Sequence, residues 1–142
     1  GTGRVERING SGFVHAYDYV GRWLSAVPEE ITKDIKTEFP GSPGGGGSDH
    51  ASFVAAGIPA FMLSSLSWGY FNNTWHTNLD TYDKLVFDDL KWNVILTAIM
   101  TYKASEEPEL VNREQRVLPL GRDGKPQPWP AIRQPRRTGV GY

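Results

Sequence analysis

Histidine and carboxylate side chains are the groups in this sequence best suited to metal or acid–base chemistry. The chain contains three histidines, His15, His50 and His76, and no cysteine. Thiolate catalysis and cysteine-based zinc sites are therefore excluded, and any metal ion would need nitrogen and oxygen ligands. No two histidines have the spacing that places a pair of ligands on one face of a helix. Spacing alone therefore reveals no complete metal site.

Two of the histidines have settings that favour ordinary roles. His15 falls near Asp18 on the polar side of a predicted helix, and we expect it to lie at the surface. His50 follows Asp49 in the first turn of another predicted helix. Charge compensation at the helix start is one interpretation of that pair, worth roughly 0.3–1 kcal/mol. A place beside an active site is the other.

His76 is the best candidate metal ligand. It lies between Trp75 and Thr77 in a long aperiodic segment, and Asp80 and Asp83 follow closely. The sequence has no calcium-binding loop, no Gly-x-Ser-x-Gly elbow and no lysine-containing phosphate loop. The residues alone thus indicate a polar, aromatic loop with one candidate ligand.

The first forty residues predict one strand and two helical segments. Residues 1–12 favour a short strand or loop, and 14–26 carry apolar side chains at the spacing of an amphipathic helix. A more charged helical segment is predicted over 29–38, before Pro40. The apolar stripe of the first helix comprises Val14, Tyr17, Val20, Trp23 and Leu24.

A glycine-rich segment, residues 41–47, leads into a predicted short helix. Four consecutive glycines cannot hold regular structure, because they offer no side chains to pack and lose the most backbone entropy. Ser48 or Asp49 is expected to cap the helix, and Gly57 is expected just beyond its end.

The next segments predict a strand, a long loop and a second amphipathic helix. Residues 59–64 form a continuous apolar run that favours a strand buried on both faces of a parallel sheet. Residues 65–83 lack periodicity, and loops of that length are usually functional. A helix is predicted from a capping Asp88 to about Ala104. Its apolar stripe comprises Trp92, Ile95, Leu96, Ile99, Met100 and Tyr102.

The length and the charge distribution of the chain predict part of one domain followed by a basic tail. The chain has 142 residues, 22% of them charged, and no apolar run near the roughly 20 residues that span a bilayer. Residues 1–112 carry 8 Lys and Arg against 14 Asp and Glu, while 113–142 carry 7 against 2. We therefore divide the chain into 1–108 and a basic, proline-rich tail, 109–142. The tail is expected to lie against the acidic body rather than bind nucleic acid.

Three segments together resemble the consecutive late motifs of a known enzyme family. They are 47–53 (GSDHASF), 56–60 (AGIPA) and 75–81 (WHTNLDT), and the likeness covers about residues 41–105. The family is metallopeptidase family 28, which includes zinc aminopeptidases, glutamate carboxypeptidase and glutaminyl cyclases. The resemblance implies an α/β fold. This chain would supply the C-terminal part of a mixed, mainly parallel sheet flanked by helices.

The resemblance implies that His76 binds one of two zinc ions in the complete enzyme. Asp49 or Asp80 is then a candidate for orienting its ring or ordering its loop. The other family ligands and the general-base glutamate precede the Ser-Asp-His motif, and no matching residues occur in this chain. We therefore expect the chain to begin just after the last of them and to be inactive alone.

Four aromatic residues of the long loop are candidates for the substrate pocket. Trp68, Tyr70, Phe71 and Trp75 would wall the pocket for the terminal side chain of a peptide. The alternative is that they pin the loop to the core.

The function implied is that of a zinc-dependent exopeptidase, with an aminopeptidase favoured. A non-catalytic binding module on the same scaffold and a glutaminyl cyclase-like acyl transferase are the alternatives. Export to the periplasm or out of the cell is expected from the family. The expected partners are a peptide substrate and the missing N-terminal half of the domain, and the isolated chain is expected to self-associate. No partnership with nucleic acid or a membrane is expected.

Overall fold

The computed structural model describes residues 2–44 and 47–133. Part of the glycine-rich segment and the end of the tail, including Pro135, lie outside these ranges. The described chain forms three strands, five α-helices and one 3-10 turn. In chain order they are β1 (Val5–Asn9), α1 (Ala16–Leu24), α2 (Glu29–Thr32), β2 (Lys36–Glu38), α3 (His50–Ala55), β3 (Met62–Ser65), α4 (Tyr70–Asn73), the turn Tyr82–Lys84 and α5 (Phe87–Ser105).

The sheet is mixed, with the strand order β2-β1-β3. Strand β1 pairs in parallel with β2 and antiparallel with β3; Ile8 lies opposite Thr37 on one side and Leu63 on the other. The prediction of a buried parallel strand over 59–64 is therefore wrong. The strand lies at a sheet edge, Met62 is exposed and the rest of β3 is half-buried. The described residues form an α/β fold. Its three-stranded sheet is mixed but not mainly parallel.

Helices α1 and α5 pack against each other and supply much of the core. Val20 and Trp23 are buried as predicted, but Val14 and Tyr17 are 39% and 68% exposed. The predicted helix is confirmed, but two positions of its stripe are wrong: the helix begins at Ala16, which leaves Val14 outside it, and Tyr19 rather than Tyr17 faces inward. The core comprises Val5, Ile8, Phe13, Ala16, Tyr19, Val20, Trp23, Val27, Ile31, Val54, Leu96 and Met100.

Helix α5 confirms the prediction of a long helix and corrects its details. It runs over Phe87–Ser105, with Val86 rather than Asp88 at the cap position. Tyr102 is 60% exposed and does not belong to the buried stripe. The Asn93 side chain accepts the amide N–H of Val5 at 2.8 Å and donates to the carbonyl of Gly3 at 3.0 Å, and these bonds fix α5 beside β1.

The segment predicted as helical over 29–38 divides into two elements. Only Glu29–Thr32 is helical, and Lys36–Glu38 forms β2. Residues Lys36–Glu38 form a strand because the neighbouring β1 offers backbone N–H and C=O groups that pair with them. A local pattern of charged residues carries no information about that pairing.

The described part of the tail, residues 109–133, lies against the body; we call it the C-terminal arm. Val14 donates its amide N–H to the carbonyl of Glu114 at 2.9 Å, and Arg116 donates to the carbonyl of Gly12 at 2.8 Å. Phe13 and Gln115 form an antiparallel bridge between these two bonds. The charge distribution of the sequence predicted such docking. In the described residues, no helix has the length and apolar character needed to cross a membrane.

Candidate functional site

His76 lies on the exposed loop that follows α4 and precedes α5. Its backbone has φ +59°, in the left-handed region, and its ring stacks on Trp75 with 4.0 Å between centroids and 25° between planes. Left-handed residues other than glycine are uncommon, although histidine is among the more tolerated types. The His76 side chain is therefore exposed to solvent, with the Trp75 ring stacked against it.

Three of the four predicted pocket residues form a row of rings leading to His76. Phe71 lies 5.6 Å from Tyr70 and 5.6 Å from Trp75, both edge-on, and Trp75 stacks on His76. Phe71 and Trp75 are 54% and 47% exposed. The row is thus an open aromatic surface.

Trp68 is placed differently from the other three rings. Its backbone has φ +49°, which is rare for a bulky residue and costs roughly 1–2 kcal/mol. A Cβ added at Gly3 would come within 2.5 Å of the indole nitrogen, so the ring lies directly on that glycine. Trp68 therefore helps to pin the loop to the N-terminal strand, although 66% of it stays exposed.

Hydrogen bonds within the loop hold the His76 region in shape. The Tyr70 hydroxyl donates to Asp80 at 2.7 Å, which links α4 to the chain beyond His76. This bond raises the pKa of Tyr70 above its usual value. Thr77 donates its hydroxyl to the carbonyl of Thr74 at 2.7 Å. Two side-chain bonds therefore span His76, each joining a residue before it to a residue after it.

The two carboxylates proposed to orient His76 or to order its loop differ in what they contact. Asp80 accepts its hydrogen bond from Tyr70, so it orders the loop rather than bonding the His76 ring. Asp49 occupies the N-cap position of α3 but makes no side-chain cap bond there, contrary to the capping prediction. Gly57 follows the helix end with φ +72°, as the sequence predicted. An orienting role for Asp49 stays a prediction.

The described residues fit a metal ion only in part. Within 2–44 and 47–133, no group of three or more His, Cys, Asp and Glu side chains is arranged to hold a metal ion. A catalytic zinc takes three protein ligands. His76 is exposed and accessible as a single ligand, but these residues do not form a complete zinc site.

A second polar cluster, which sequence reasoning missed, lies between α1 and the arm. His15 lies 3.4 Å from Asp18 and 3.1 Å from Glu114, measured from its two ring nitrogens. Glu107 accepts hydrogen bonds from Arg22 at 2.8 Å and Trp23 at 2.9 Å. These two donors lower the pKa of Glu107, with the Trp23 bond as the larger cause. The sequence predicted only the proximity of His15 to Asp18, because Glu114 lies 99 positions from His15.

A cavity beside α3 lacks, among its described lining residues, the histidine and carboxylate side chains that the His76 loop carries. It has a volume of about 760 Å³ and lies between the glycine-rich segment, α3 and the arm. Its described lining contains Ser48 and Ser52 but no histidine, aspartate or glutamate. Hydrolytic chemistry needs a ligand or base, so we place the candidate site at the His76 loop and not in this cavity.

Comparison with known proteins identifies the lineage of the chain. No curated protein and no solved structure matches it significantly. The model of one protein family, described as peptidase family M28, matches residues 14–100. That match covers more than half of the chain and includes α1, the Ser-Asp-His helix and the His76 loop. This chain therefore belongs to peptidase family M28.

Proposed function

We propose that the protein is a zinc-dependent exopeptidase, most simply an aminopeptidase, and that His76 is one of its metal ligands. Membership of a peptidase family supports hydrolysis of peptide bonds. The observation that carries the assignment is the conformation of His76. An exposed imidazole is held in a left-handed backbone, on an aromatic support, in a loop closed by hydrogen bonds.

Pre-organisation is the physical argument for a ligand role. A metal ligand binds best when its position is set before the ion arrives, because little entropy is then lost on binding. Trp75 fixes the plane of the His76 ring, and the Tyr70–Asp80 bond fixes the loop that carries both. A histidine with a merely solvated role would not require these restraints.

The aromatic row is proposed to receive the terminal side chain of a peptide. Phe71 and Trp75 offer open apolar surface directly beside His76. Rigid rings give apolar selectivity with little loss of side-chain entropy. In this arrangement Tyr70 supports the row, and Trp68 serves mainly to anchor it.

The remaining ligands and the general base are proposed to come from a preceding segment of the same protein. The lack of a complete metal cluster among the described residues supports this view. So does the exposed apolar surface on α5, where Leu90 and Val94 are 39% and 59% exposed. With zinc in place, the ions would supply an activated water and polarise the scissile carbonyl. Export from the cytoplasm remains part of the proposal.

The test compares substrates and variants on the protein that carries the complete domain. Hydrolysis of aminoacyl anilides, sensitive to chelators and restored by zinc, is expected. A carboxypeptidase would instead release C-terminal residues from blocked peptides, and a cyclase would act only on peptides with N-terminal glutamine. The absence of all three activities in a zinc-loaded, folded protein would favour a non-catalytic module.

A further inference from the structure

The arm is tied to three segments that are far apart in sequence. Its backbone bonds join Glu114 and Arg116 to Val14 and Gly12, in the turn before α1. The Arg116 side chain also donates to the carbonyl of Gly41 at 2.9 Å, at the start of the glycine-rich segment.

A third tie reaches the helix α3. The Trp129 indole N–H donates to the carbonyl of Val54 at 2.7 Å, and the ring packs edge-on against Phe13 at 5.5 Å. Gly12 leaves space for this ring, since a Cβ there would come within 3.0 Å of it. The arm thus lies as a strap across the turn, the glycine-rich segment and α3.

His15 joins this strap to the body through both of its ring nitrogens. Nδ1 faces Asp18 of α1, whereas Nε2 faces Glu114 of the arm. A neutral imidazole has one N–H and can donate to only one of these carboxylates. An imidazolium has two and can donate to both. The neutral Nε2–H form can keep the bond to Glu114 alone, whereas protonation makes that bond an ion pair and adds the bond to Asp18, which holds the ring in place.

The surrounding charges favour that protonation. Arg22 lies in the same polar pocket, but its charge is engaged with Glu107 at 2.8 Å. The pKa of His15 is raised above 6.5, first by Glu114 and then by Asp18. The dipole at the start of α1 opposes a cation at this position, and Asp18 in the first turn offsets it. The charged groups facing His15 are Asp18, Arg22, Glu107, Glu109 and Glu114.

We propose that the arm is a pH-sensitive strap, in which protonation of His15 strengthens its docking on the turn before α1. The proposal stands independently of the peptidase activity. A group with a raised folded-state pKa stabilises most below its ordinary value, here 6.5, and the gain is lost as pH rises through the folded-state pKa. The strap is therefore tighter in mildly acidic than in mildly basic solution.

Amide hydrogen exchange measured residue by residue tests this strap directly. The amides of Val14 and Arg116 bond across the junction, so their protection reports docking. The internal reference is the Leu66 amide, which donates to the backbone carbonyl of Arg4 at 2.9 Å in another part of the molecule. After correction for intrinsic rates, protection of the two junction amides relative to Leu66 should fall about two- to five-fold between about pH 5.5 and about pH 8.5.

Variants identify the group responsible. His15→Gln and Glu114→Gln should both flatten the pH dependence, and Glu114→Gln should also lower the His15 pKa measured by NMR. Glu109→Gln is the matched control, because Glu109 lines the same pocket without bonding His15. Retained Leu66 protection shows that each variant is folded. Junction protection that is equal at both pH values, or an unchanged pH dependence in folded His15→Gln, overturns the proposal.

Discussion

Trp129 donates its indole N–H to the carbonyl oxygen of Val54 at 2.7 Å, although the two residues lie 75 positions apart. The bond joins the proline-rich arm to the C-terminal half of α3, the helix that begins with His50. The Val54 carbonyl also accepts the amide N–H of Gly57 at 2.9 Å, so the indole is a second donor at the end of the helix. The arm is therefore part of the folded body.

Trp129 substitutions should separate ring packing from the hydrogen bond. Trp129→Ala should lower the free energy of unfolding by about 2–3 kcal/mol, somewhat less than a fully buried tryptophan. Trp129→Phe keeps a ring against Phe13 and should cost about 1 kcal/mol, for the lost hydrogen bond. Urea unfolding measures both values. Equal losses in the two variants would contradict the packing contribution.

Removal of the His76 imidazole should weaken zinc binding in the complete enzyme. His76→Ala should lower zinc affinity by roughly 10–100-fold or more and abolish turnover. Asn78→Ala, two positions along the same exposed loop, is the control and should retain metal. Metal analysis after dialysis and an anilide assay give the two readouts. Full zinc content with a normal rate in His76→Ala would refute the ligand assignment.

Loss of the Tyr70–Asp80 bond should loosen the loop without removing the metal ligand. Tyr70→Phe keeps the ring beside Phe71 but lacks the hydroxyl that bonds Asp80. We expect KM to rise more than kcat falls, and zinc content to stay unchanged. Because the pKa of Tyr70 is raised above 10.0, the bond should persist at pH 10 and fail as pH rises further through the folded-state value. Asp80→Ala, which removes the acceptor of this bond, should reproduce the kinetic effect.

Glu107 should contribute to stability above its ordinary pKa and lose that contribution in acid. Trp23 and Arg22 lower its pKa below 4.5, so the contribution is complete above 4.5 and disappears as pH falls through the folded-state value. Thermal unfolding of Glu107→Gln should therefore vary less between about pH 5 and about pH 3 than that of the parent. Glu106→Gln, at the adjacent exposed position, should behave like the parent.

The exposed face of α5 should promote self-association of the isolated chain. Leu90, Val94 and Ala98 line an apolar groove along this helix. Exposed apolar patches commonly mediate association. Val94→Asp should shift sedimentation toward the monomer, whereas Val117→Asp on the arm, at a position 78% exposed, should not. A parent chain that sediments as a monomer at all concentrations would refute the expectation.

Local patterns predicted α1, α5 and the candidate loop, but not the strand within 29–38. Val20, Trp23, Leu96 and Met100 lie on the buried faces of α1 and α5, as their spacing predicted. Capping was less predictable, because Val86 rather than Asp88 precedes α5. The aromatic row and His76 are neighbours in sequence, so their proximity was also predictable. The exposure of these rings to solvent was not predictable, because it depends on which other residues pack around them.

Residues close together in the chain account for the features whose interactions are local: the long helix α5, the turn at Gly57 and the family motifs. The folded chain was needed to show that β3 runs antiparallel at a sheet edge, that Trp129 bonds Val54 and that His15 contacts Glu114. Strand direction and contacts between distant residues depend on how whole elements pack. That packing is a property of the assembled chain, because the same short segment can pair with different neighbours at similar local cost.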